Sequence, residues 1–196
     1  MSMNGTSTLR PIVLFGPSGS GKSTLIKRIM KDFPNKFGFS ISHTTRKPRP
    51  GEVNGVHYHF TNPEEFQNNI DNGLFIESAI FGKNMYGTSK KAVKDVIARG
   101  QICILDIDCQ GVRKVKKTDL NPLYIFIQPP SMEDLKSRLI KRGTETDESL
   151  KNRLEAAKQE IEYGSQPGIA NLLIVNDALE DAYNKLKKYL EENVLH

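Results

Sequence analysis

The stretch FGPSGSGKST, residues 15–24, follows an apolar run and precedes a segment with helical character. Its spacing is G-x-x-x-x-G-K-S, which begins at Gly16 and ends with Gly21, Lys22 and Ser23. Such a loop directs successive backbone N–H groups toward one point beside the positive end of a helix, and this favours phosphate oxygens. We expect Lys22 to reach the β- and γ-phosphates of a nucleoside triphosphate and the Ser23 hydroxyl to bind Mg²⁺. A plain glycine–serine linker would require neither the Lys-Ser pair nor the apolar run.

The composition limits the classes of partner. The 196 residues suffice for one domain with inserts, and 28 Lys and Arg against 23 Asp and Glu give a net charge of +5. This mild excess suits small anions, and without an aromatic platform we expect no nucleic-acid partner. No apolar stretch has the length of a membrane span, and residues 1–8 lack the features of a secretory signal. We therefore expect no membrane partner and a cytoplasmic location, where Cys103 and Cys109 would be buried thiols.

Apolar runs of strand length alternate with helical patterns along most of the chain. Helix starts are indicated by the S-x-x-D box at Ser131 and by DALE from Asp177, and a helix end by Gly100. This alternation predicts an α/β fold with a parallel sheet covered by helices on both faces. The predicted strands are residues 11–15, 39–42, 102–107, 123–127 and 172–175.

Two stretches interrupt the alternation. Residues 47–87 predict a small α+β insert, with strands at 56–60, 75–80 and 84–86 and a helix that opens at Asn62-Pro63. The core would then consist of residues 1–46 and 88–196. Residues 141–153, KRGTETDESLKNR, are polar and prone to turns, so they are either a plain solvated loop or a lid over a phosphate site.

Two acidic residues follow the run 102–107. Because side chains alternate along a strand, Asp106 and Asp108 are expected on one side, where the phosphate loop of a neighbouring strand would lie. Asp106 would hold Mg²⁺ directly or through water. Acids at an exposed strand end would give the same pattern, although the phosphate loop favours the metal role.

A basic segment lies between residues 40 and 60. Arg46, Arg49 and Tyr58 together offer two planar guanidinium groups and a hydroxyl, which suit a phosphate monoester dianion. A basic turn stiffened by two prolines remains an equal alternative on these residues alone.

Taken together, several segments resemble the guanylate kinases of the eukaryotic type, and they cover nearly the whole chain beyond the first nine residues. They are GPSGSGKST at 16–24, FGFSISHTTRKPRPGEVNGVHYHF at 37–60, FIE at 75–77, MYGTSK at 85–90, ILDIDCQGV at 104–112, IFIQPPS at 125–131, LKSRLIKRGTETDESLKNRL at 135–154 and IVNDAL at 174–179.

The resemblance implies a phosphate-loop core with a GMP-binding insert and a mobile lid at about 138–156. It implies transfer of the γ-phosphoryl group of ATP to GMP, and also to dGMP, with Mg²⁺ held by Ser23 and Asp106. The ATP-binding residues would be Gly16, Pro17, Ser18, Gly19, Ser20, Gly21, Lys22, Ser23, Thr24, Arg138 and Asn176. The GMP-binding residues would be Ser42, Arg46, Arg49, Tyr58, Glu77, Tyr86, Gly87, Thr88 and Asp108. The catalytic residues would be Lys22, Arg49, Arg142 and Arg153.

Base selection is expected to depend on Glu77. Guanine presents N1–H and the 2-amino group as adjacent donors, which one carboxylate can accept, and O6 as an acceptor for the Ser42 and Thr88 hydroxyls. Adenine would leave this carboxylate facing an unprotonated nitrogen, and an unpaired buried polar group costs about 1–3 kcal/mol.

The alternative function is a non-catalytic guanylate-kinase-like module that binds proteins. Such modules typically lose parts of the phosphate loop or lid, whereas this chain retains Lys22, Ser23, Asp106, Arg142 and Arg153. We also expect a monomer, because lid and insert must close without obstruction.

Overall fold

The computed structural model describes residues 9–143 and 146–195. The expectation that no secretory signal is present concerns residues 1–8, which lie outside the described residues. The strands are β1 (Ile12–Phe15), β2 (Phe37–Phe39), β3 (His43–Thr44), β4 (His59–Phe60), β5 (Phe75–Phe81), β6 (Asn84–Ser89), β7 (Ile102–Asp106), β8 (Leu123–Gln128) and β9 (Leu172–Val175). The helices are α1 (Lys22–Asp32), α2 (Pro63–Asp71), α3 (Lys90–Ala98), α4 (Cys109–Val115), α5 (Met132–Lys141), α6 (Asp147–Gly164) and α7 (Leu179–Asn193).

A parallel sheet forms the core, as the sequence predicted. The structure gives its strand order as β2-β7-β1-β8-β9. Alternate residues of β1 enter opposite hydrophobic clusters. Ile12 and Leu14 pack with α1 and α7 on one face, whereas Val13 and Phe15 pack with α3 and α4 on the other. Because both faces are covered, the central strands are apolar throughout. None of the helices in the described ranges is long and apolar enough to cross a membrane.

The second sheet has the order β4-β3-β6-β5, and α2 packs against it through β5. Its strands extend from residue 43 to residue 89, slightly beyond the expected insert of 47–87. The predicted strand at 39–42 is wrong, because the chain changes sheets there. The backbone N–H of Ser40 donates to Ile104 in the core sheet, whereas the carbonyl of Ser42 accepts from His59 in the second sheet.

The predicted strand at 56–60 is also too long. Residues 53–57 form a turn in which the N–H groups of Val56 and His57 both donate to the carbonyl of Val53. The imidazole of His57 accepts a hydrogen bond from the Val53 N–H at 3.0 Å, which closes the turn. Only the last two residues of the predicted strand remain free to pair with β3.

Helix boundaries follow the capping residues in most cases. Ser131 caps α5, and Ser89 caps the helix that Gly100 follows. The stretch 141–153 is not a continuous loop, because a capping box of Thr146 and Ser149 starts α6 at residue 147. The last helix begins at residue 179 and not at Asp177, since the backbone of residue 176 still bonds to strand β8.

Removing the cap of α5 tests how this helix is anchored. Its Ser131 hydroxyl accepts a hydrogen bond from the N–H of Asp134 at 3.0 Å, so Ser131→Ala should lower the free energy of unfolding by about 1 kcal/mol. Urea denaturation measures this change. Ser137→Ala, at an exposed position of the same helix, is the matched control and should leave the stability within about 0.5 kcal/mol of the original. An equal effect of the two substitutions would contradict the capping role.

Candidate active site

The phosphate loop follows β1 and is held by a hydrogen bond from outside the loop and by another within it. The Asn176 side chain at the end of β9 donates to the carbonyl of Ser20 at 2.8 Å, and the Ser20 N–H donates to Pro17 at 3.0 Å. Gly16 and Gly21 have φ of +136° and +96°. A Cβ at these two positions would lie 2.0 Å from the Ile127 carbonyl and 2.1 Å from Asn176 Nδ2, respectively. The loop therefore requires glycine at both positions.

Lys22 lies inside this loop and not in solvent. Its Nζ donates to the carbonyl of Gly16 at 2.6 Å and of Pro17 at 3.2 Å, and it lies 3.9 Å from Oδ1 of Asp106. Burial raises the pKa of Asp106, and the Lys22 charge opposes that increase. The neighbouring core strands β1 and β7 thus bring a cation and a carboxylate together at their carboxyl ends.

A cavity of about 950 Å³ extends from the phosphate loop to the second sheet. It brings together most of the residues selected from the sequence. These are Gly16, Ser18, Gly19, Gly21, Lys22, Ser23, Thr24, Ser42, Arg46, Arg49, Tyr58, Glu77, Tyr86, Gly87, Asp106, Asp108, Arg138, Arg142, Arg153 and Asn176. Three others, Pro17, Ser20 and Thr88, do not line it. Of these, Ser20 and Thr88 are buried. The carbonyl of Ser20 accepts a hydrogen bond from Asn176, and the hydroxyl of Thr88 donates one to Glu77.

The basic turn contains an internal anion that the sequence reasoning missed. Glu52 accepts two hydrogen bonds from the guanidinium of Arg46, both at 2.9 Å, and one from the Arg49 N–H at 2.7 Å. Burial works to raise the pKa of Glu52, but these hydrogen bonds outweigh it and the pKa is lowered. Burial raises the pKa of Tyr58 to about 12, so its hydroxyl keeps the proton and can donate. The sequence signal that could have identified Glu52 is its position as a single acid beside a run of basic residues.

Glu77 is a buried carboxylate on β5. It pairs with Thr88 of β6, whose hydroxyl donates to Glu77 Oε1 at 2.7 Å. Only 5% of the residue is exposed, and burial raises the pKa of its carboxyl group to about 7. The Thr88 hydrogen bonds work against this rise, whereas the nearby charge of Asp108 adds to it. The site therefore holds a carboxylate that lacks a cation in direct contact among the described residues.

Asp108 belongs to a helix start and not to the strand end. Strand β7 ends at Asp106, and Asp108 caps α4 by accepting a hydrogen bond from the Gly111 N–H at 2.9 Å. Its other oxygen, Oδ2, accepts a hydrogen bond from the side-chain Nε2 of Gln110 at 3.3 Å. Burial raises the pKa of Asp108, although the hydrogen bonds oppose the increase. Asp106 and Asp108 nonetheless line the same cavity.

Three arginines line the cavity near the phosphate loop. Arg153 of α6 donates to the Ser18 hydroxyl at 2.9 Å and lies over the ring of Phe81 in β5, 5.2 Å from its centroid. Arg138 of α5 donates to the carbonyl of Asn176 at 2.8 Å. Arg142 is exposed and lies just beyond the end of α5. The stretch expected to form a lid thus supplies guanidinium groups to one end of the cavity.

A further carboxylate in the cavity was not foreseen. Glu160 of α6 lies near Lys22, Asp106 and Asp108, and burial raises its pKa to about 7. Its Oε2 is buried without a hydrogen-bond partner among the described residues. A glutamate in the middle of a long charged helix has no local sequence signal, so only the tertiary structure identifies it.

The oxygen donors present fit Mg²⁺. A hydroxyl from Ser23 and a carboxylate from Asp106 both face the cavity beside the phosphate loop. Mg²⁺ prefers such oxygen ligands and normally completes its shell with water and substrate phosphates. Few protein ligands are therefore required.

The buried Glu77 carboxyl group should make stability depend on pH. Its pKa of about 7 in the folded protein exceeds the ordinary value of 4.5, so its contribution is fully present below pH 4.5 and is lost as the pH rises through 7. Glu77→Gln removes this loss, and its stability advantage over the original protein should grow by up to about 3 kcal/mol between pH 4.5 and 8.5. Denaturation at several pH values measures the difference. No such growth is expected for Glu191→Gln, an exposed control on α7, and a constant Glu77→Gln difference would contradict the argument.

The described geometry agrees with what comparisons with known proteins find. The guanylate kinase family model matches residues 8–193. The guanylate kinase of Sus scrofa is 55% identical over 185 residues, which are 94% of this chain and 93% of that protein. The guanylate kinase of Schizosaccharomyces pombe is 51% identical over 182 residues, or 93% of this chain and 90% of that protein.

Solved structures show the same architecture. The crystal structure of guanylate kinase from Anaplasma phagocytophilum has a TM-score of 0.72 and 30% identity, and the match covers 97% of this chain and 89% of that one. The SH3-kinase fragment of tight junction protein 3 has a TM-score of 0.55 at 12% identity, covers 97% of this chain and 60% of that one, and shares the fold alone. On the family match and the identity over nearly its whole length, this chain belongs to the guanylate kinase family.

Proposed function

We propose that the cavity binds ATP at the phosphate loop and GMP at the second sheet, and that its residues transfer the γ-phosphoryl group from one to the other. The observation that supports this most directly is the continuity of the cavity. Lys22 and Asp106 at one end and Arg46, Tyr58 and Glu77 at the other line the same space. A two-nucleotide site with both phosphate groups between these ends is what phosphoryl transfer requires.

The guanine of GMP would be recognised by Glu77. Once ionised, its carboxylate accepts hydrogen bonds from N1–H and the 2-amino group, while the buried Ser42 hydroxyl is available to O6. Thr88 would position the Glu77 carboxylate, because its hydroxyl already donates to Glu77 Oε1 at 2.7 Å. The cost of holding this carboxylate in a buried position is recovered when the two donors of guanine arrive.

The phosphate of GMP would be bound by Arg46, Arg49 and Tyr58. The Tyr58 hydroxyl keeps its proton and donates, and the two arginines supply charge. Glu52 would act as a positioning residue, since it fixes the Arg46 guanidinium and the Arg49 backbone in the same turn. Tyr86 and Gly87 of β6 would complete the wall of this half of the cavity.

The triphosphate of ATP would lie on the loop from Gly16 to Thr24, with Lys22 beside it. Arg138 would approach the ATP phosphates together with Arg142 and Arg153. Asn176, which donates to the loop at Ser20 and accepts from Arg138, would lie near the adenine. Mg²⁺, held by Ser23 and by Asp106 directly or through water, would neutralise phosphate charge. The dependence of the reaction on Mg²⁺ belongs to this proposal.

The transfer itself needs positive charge and exclusion of water more than a general base. A phosphate oxygen of GMP is already ionised, and it attacks the γ-phosphorus while the bond to the ADP oxygen breaks. Lys22, Arg49, Arg142 and Arg153 would stabilise the charge that develops on the transferring oxygens. Closure of the lid and insert would exclude water, which would otherwise hydrolyse ATP. The products are ADP and GDP.

The catalytic function is favoured over a protein-binding module because the nucleotide machinery is complete. Lys22, Asp106 and Arg153 are present and face one cavity, and the relatives at about half identity are named guanylate kinases. Acceptance of dGMP, a monomeric state and a cytoplasmic location are part of the same proposal. The two buried free cysteines suit a reducing compartment. A monomer would let the lid and insert close without obstruction.

The division of the chain is likewise proposed on functional grounds. Residues 47–87 would act as the GMP-binding insert between core parts 1–46 and 88–196, and the lid would occupy about 138–156. Residues 144 and 145 of that lid lie outside the described residues.

An acceptor assay tests the reaction directly. With ATP and Mg²⁺, GMP should be phosphorylated with the highest kcat/KM, dGMP should follow, and AMP, CMP and UMP should be lower by at least about 100-fold, because they cannot satisfy Glu77. ADP formation coupled to NADH oxidation gives the rates. Highest activity with AMP, or none with GMP, would contradict the proposed function.

The lid arginine is tested by Arg142→Ala. If Arg142 stabilises the transferring phosphoryl group, kcat should fall by about 100-fold or more while the KM for GMP changes little. Lys141→Ala is the matched control, because Lys141 is the exposed neighbour and does not line the cavity. An unchanged kcat in Arg142→Ala, or an equal loss in Lys141→Ala, would remove Arg142 from the mechanism.

A further inference from the structure

The first turn of α4 approaches the Glu77 carboxylate more closely than any side chain would permit. A methyl group at Gly111 would lie 2.9 Å from Glu77 Oε2, 3.2 Å from its Cδ and 3.1 Å from the Cβ of Ile107. These distances are shorter than an ordinary carbon–oxygen or carbon–carbon contact. The carboxylate therefore occupies space that exists only because residue 111 has no side chain.

The same residue holds the second carboxylate of the acceptor end. The backbone N–H of Gly111 donates to Oδ1 of Asp108 at 2.9 Å, which caps the helix. Gly111 is buried, and α4 packs along β5, the strand that carries Glu77. One backbone position thus contacts both acidic side chains.

We propose that Gly111 is a positioning residue that determines guanine specificity by leaving room for the Glu77 carboxylate in its base-binding position. This inference rests on the proposed function, since it assigns the space beside Gly111 to the recognition of the 2-amino edge. It adds a residue that would act on the base only through Glu77.

The two oxygens of Glu77 explain why a single methyl group would matter. Oε1 is fixed by the Thr88 hydroxyl at 2.7 Å, whereas Oε2 is the oxygen that lies against Gly111. An alanine would displace Oε2 and rotate the carboxylate, because the backbone of Glu77 is held in the β5–β6 ladder. The carboxylate would then accept from one guanine donor and no longer from both.

The test compares GMP with inosine monophosphate, which lacks the 2-amino group. In Gly111→Ala, kcat/KM for GMP should fall by about 10- to 100-fold and that for inosine monophosphate by much less, so the preference for GMP declines about tenfold. The KM for ATP should stay within about twofold. A role in packing alone would lower the activity with both acceptors equally and leave their ratio unchanged.

A second substitution supplies a rescue. Glu77→Asp shortens the side chain by one methylene group, so in the Gly111→Ala background it withdraws the carboxylate from the added methyl group. The double variant should keep more of the GMP preference than the product of the two single losses predicts, which is the coupling expected of residues in contact. Strictly multiplicative losses would contradict contact through Glu77.

Gly164→Ala is the matched control. It also adds a methyl group to a crowded helical glycine, but that methyl group would meet the Phe126 ring at 2.4 Å and not the acceptor site. It should lower Tm without altering the ratio between GMP and inosine monophosphate. A Gly111→Ala protein that unfolds, or that keeps the original ratio, assigns Gly111 to packing and overturns the inference. Absence of GMP phosphorylation by the unaltered protein would overturn the proposed function itself, so the two failures are distinguishable.

Discussion

The position of the Lys22 ammonium group is the constraint on which the rest of the site depends. It is fixed by carbonyl oxygens of the phosphate loop, 2.6 Å away in Gly16 and 3.2 Å away in Pro17. The loop can hold this shape because β1 is buried between β7 and β8 and because Asn176 binds the loop from β9. A cation placed by backbone groups of a loop that follows a buried strand is preorganised before any nucleotide binds. The parallel sheet then gathers the other site residues at the same edge.

The cavity holds four acids whose charged form is disfavoured by burial. Glu77, Asp106, Asp108 and Glu160 all have raised pKa values for which burial is the main cause, and Lys22 is the cation that influences three of them. Such a site lowers the stability of the unliganded protein in return for function. In the proposed complex, the guanine donors at Glu77 and a divalent cation beside Asp106 would stabilise the charged form of these carboxyl groups. The acids thus lie where the proposed substrates and metal would bind.

Local sequence patterns predicted the donor end of the site far better than the acceptor end. The phosphate loop is read from ten consecutive residues, and burial of alternate β1 residues on both faces agrees with the parallel sheet. The acceptor end instead depends on contacts between distant segments. No local pattern indicates that Gly111 lies against Glu77, that Glu160 faces Lys22, or that the chain changes sheets between residues 40 and 42. These features depend on tertiary packing between distant segments, which local patterns in one sequence do not show.

Glu52 shows how an acid can support the proposed phosphate site. Two isolated guanidinium groups in a short turn would repel each other and sample many rotamers, and a phosphate would have to order them at an entropic cost. By accepting two hydrogen bonds from the Arg46 guanidinium at 2.9 Å and one from the Arg49 N–H at 2.7 Å, Glu52 orders the turn in advance. Arg46 also lies 5.3 Å from the Tyr58 ring centroid, which restricts the guanidinium plane further. The Arg46 guanidinium has five donors, of which Glu52 takes two and the Lys47 carbonyl one, so donors remain for a phosphate dianion. The acid therefore reduces the net charge of the turn while it fixes the geometry, and geometry is what bidentate phosphate recognition depends on.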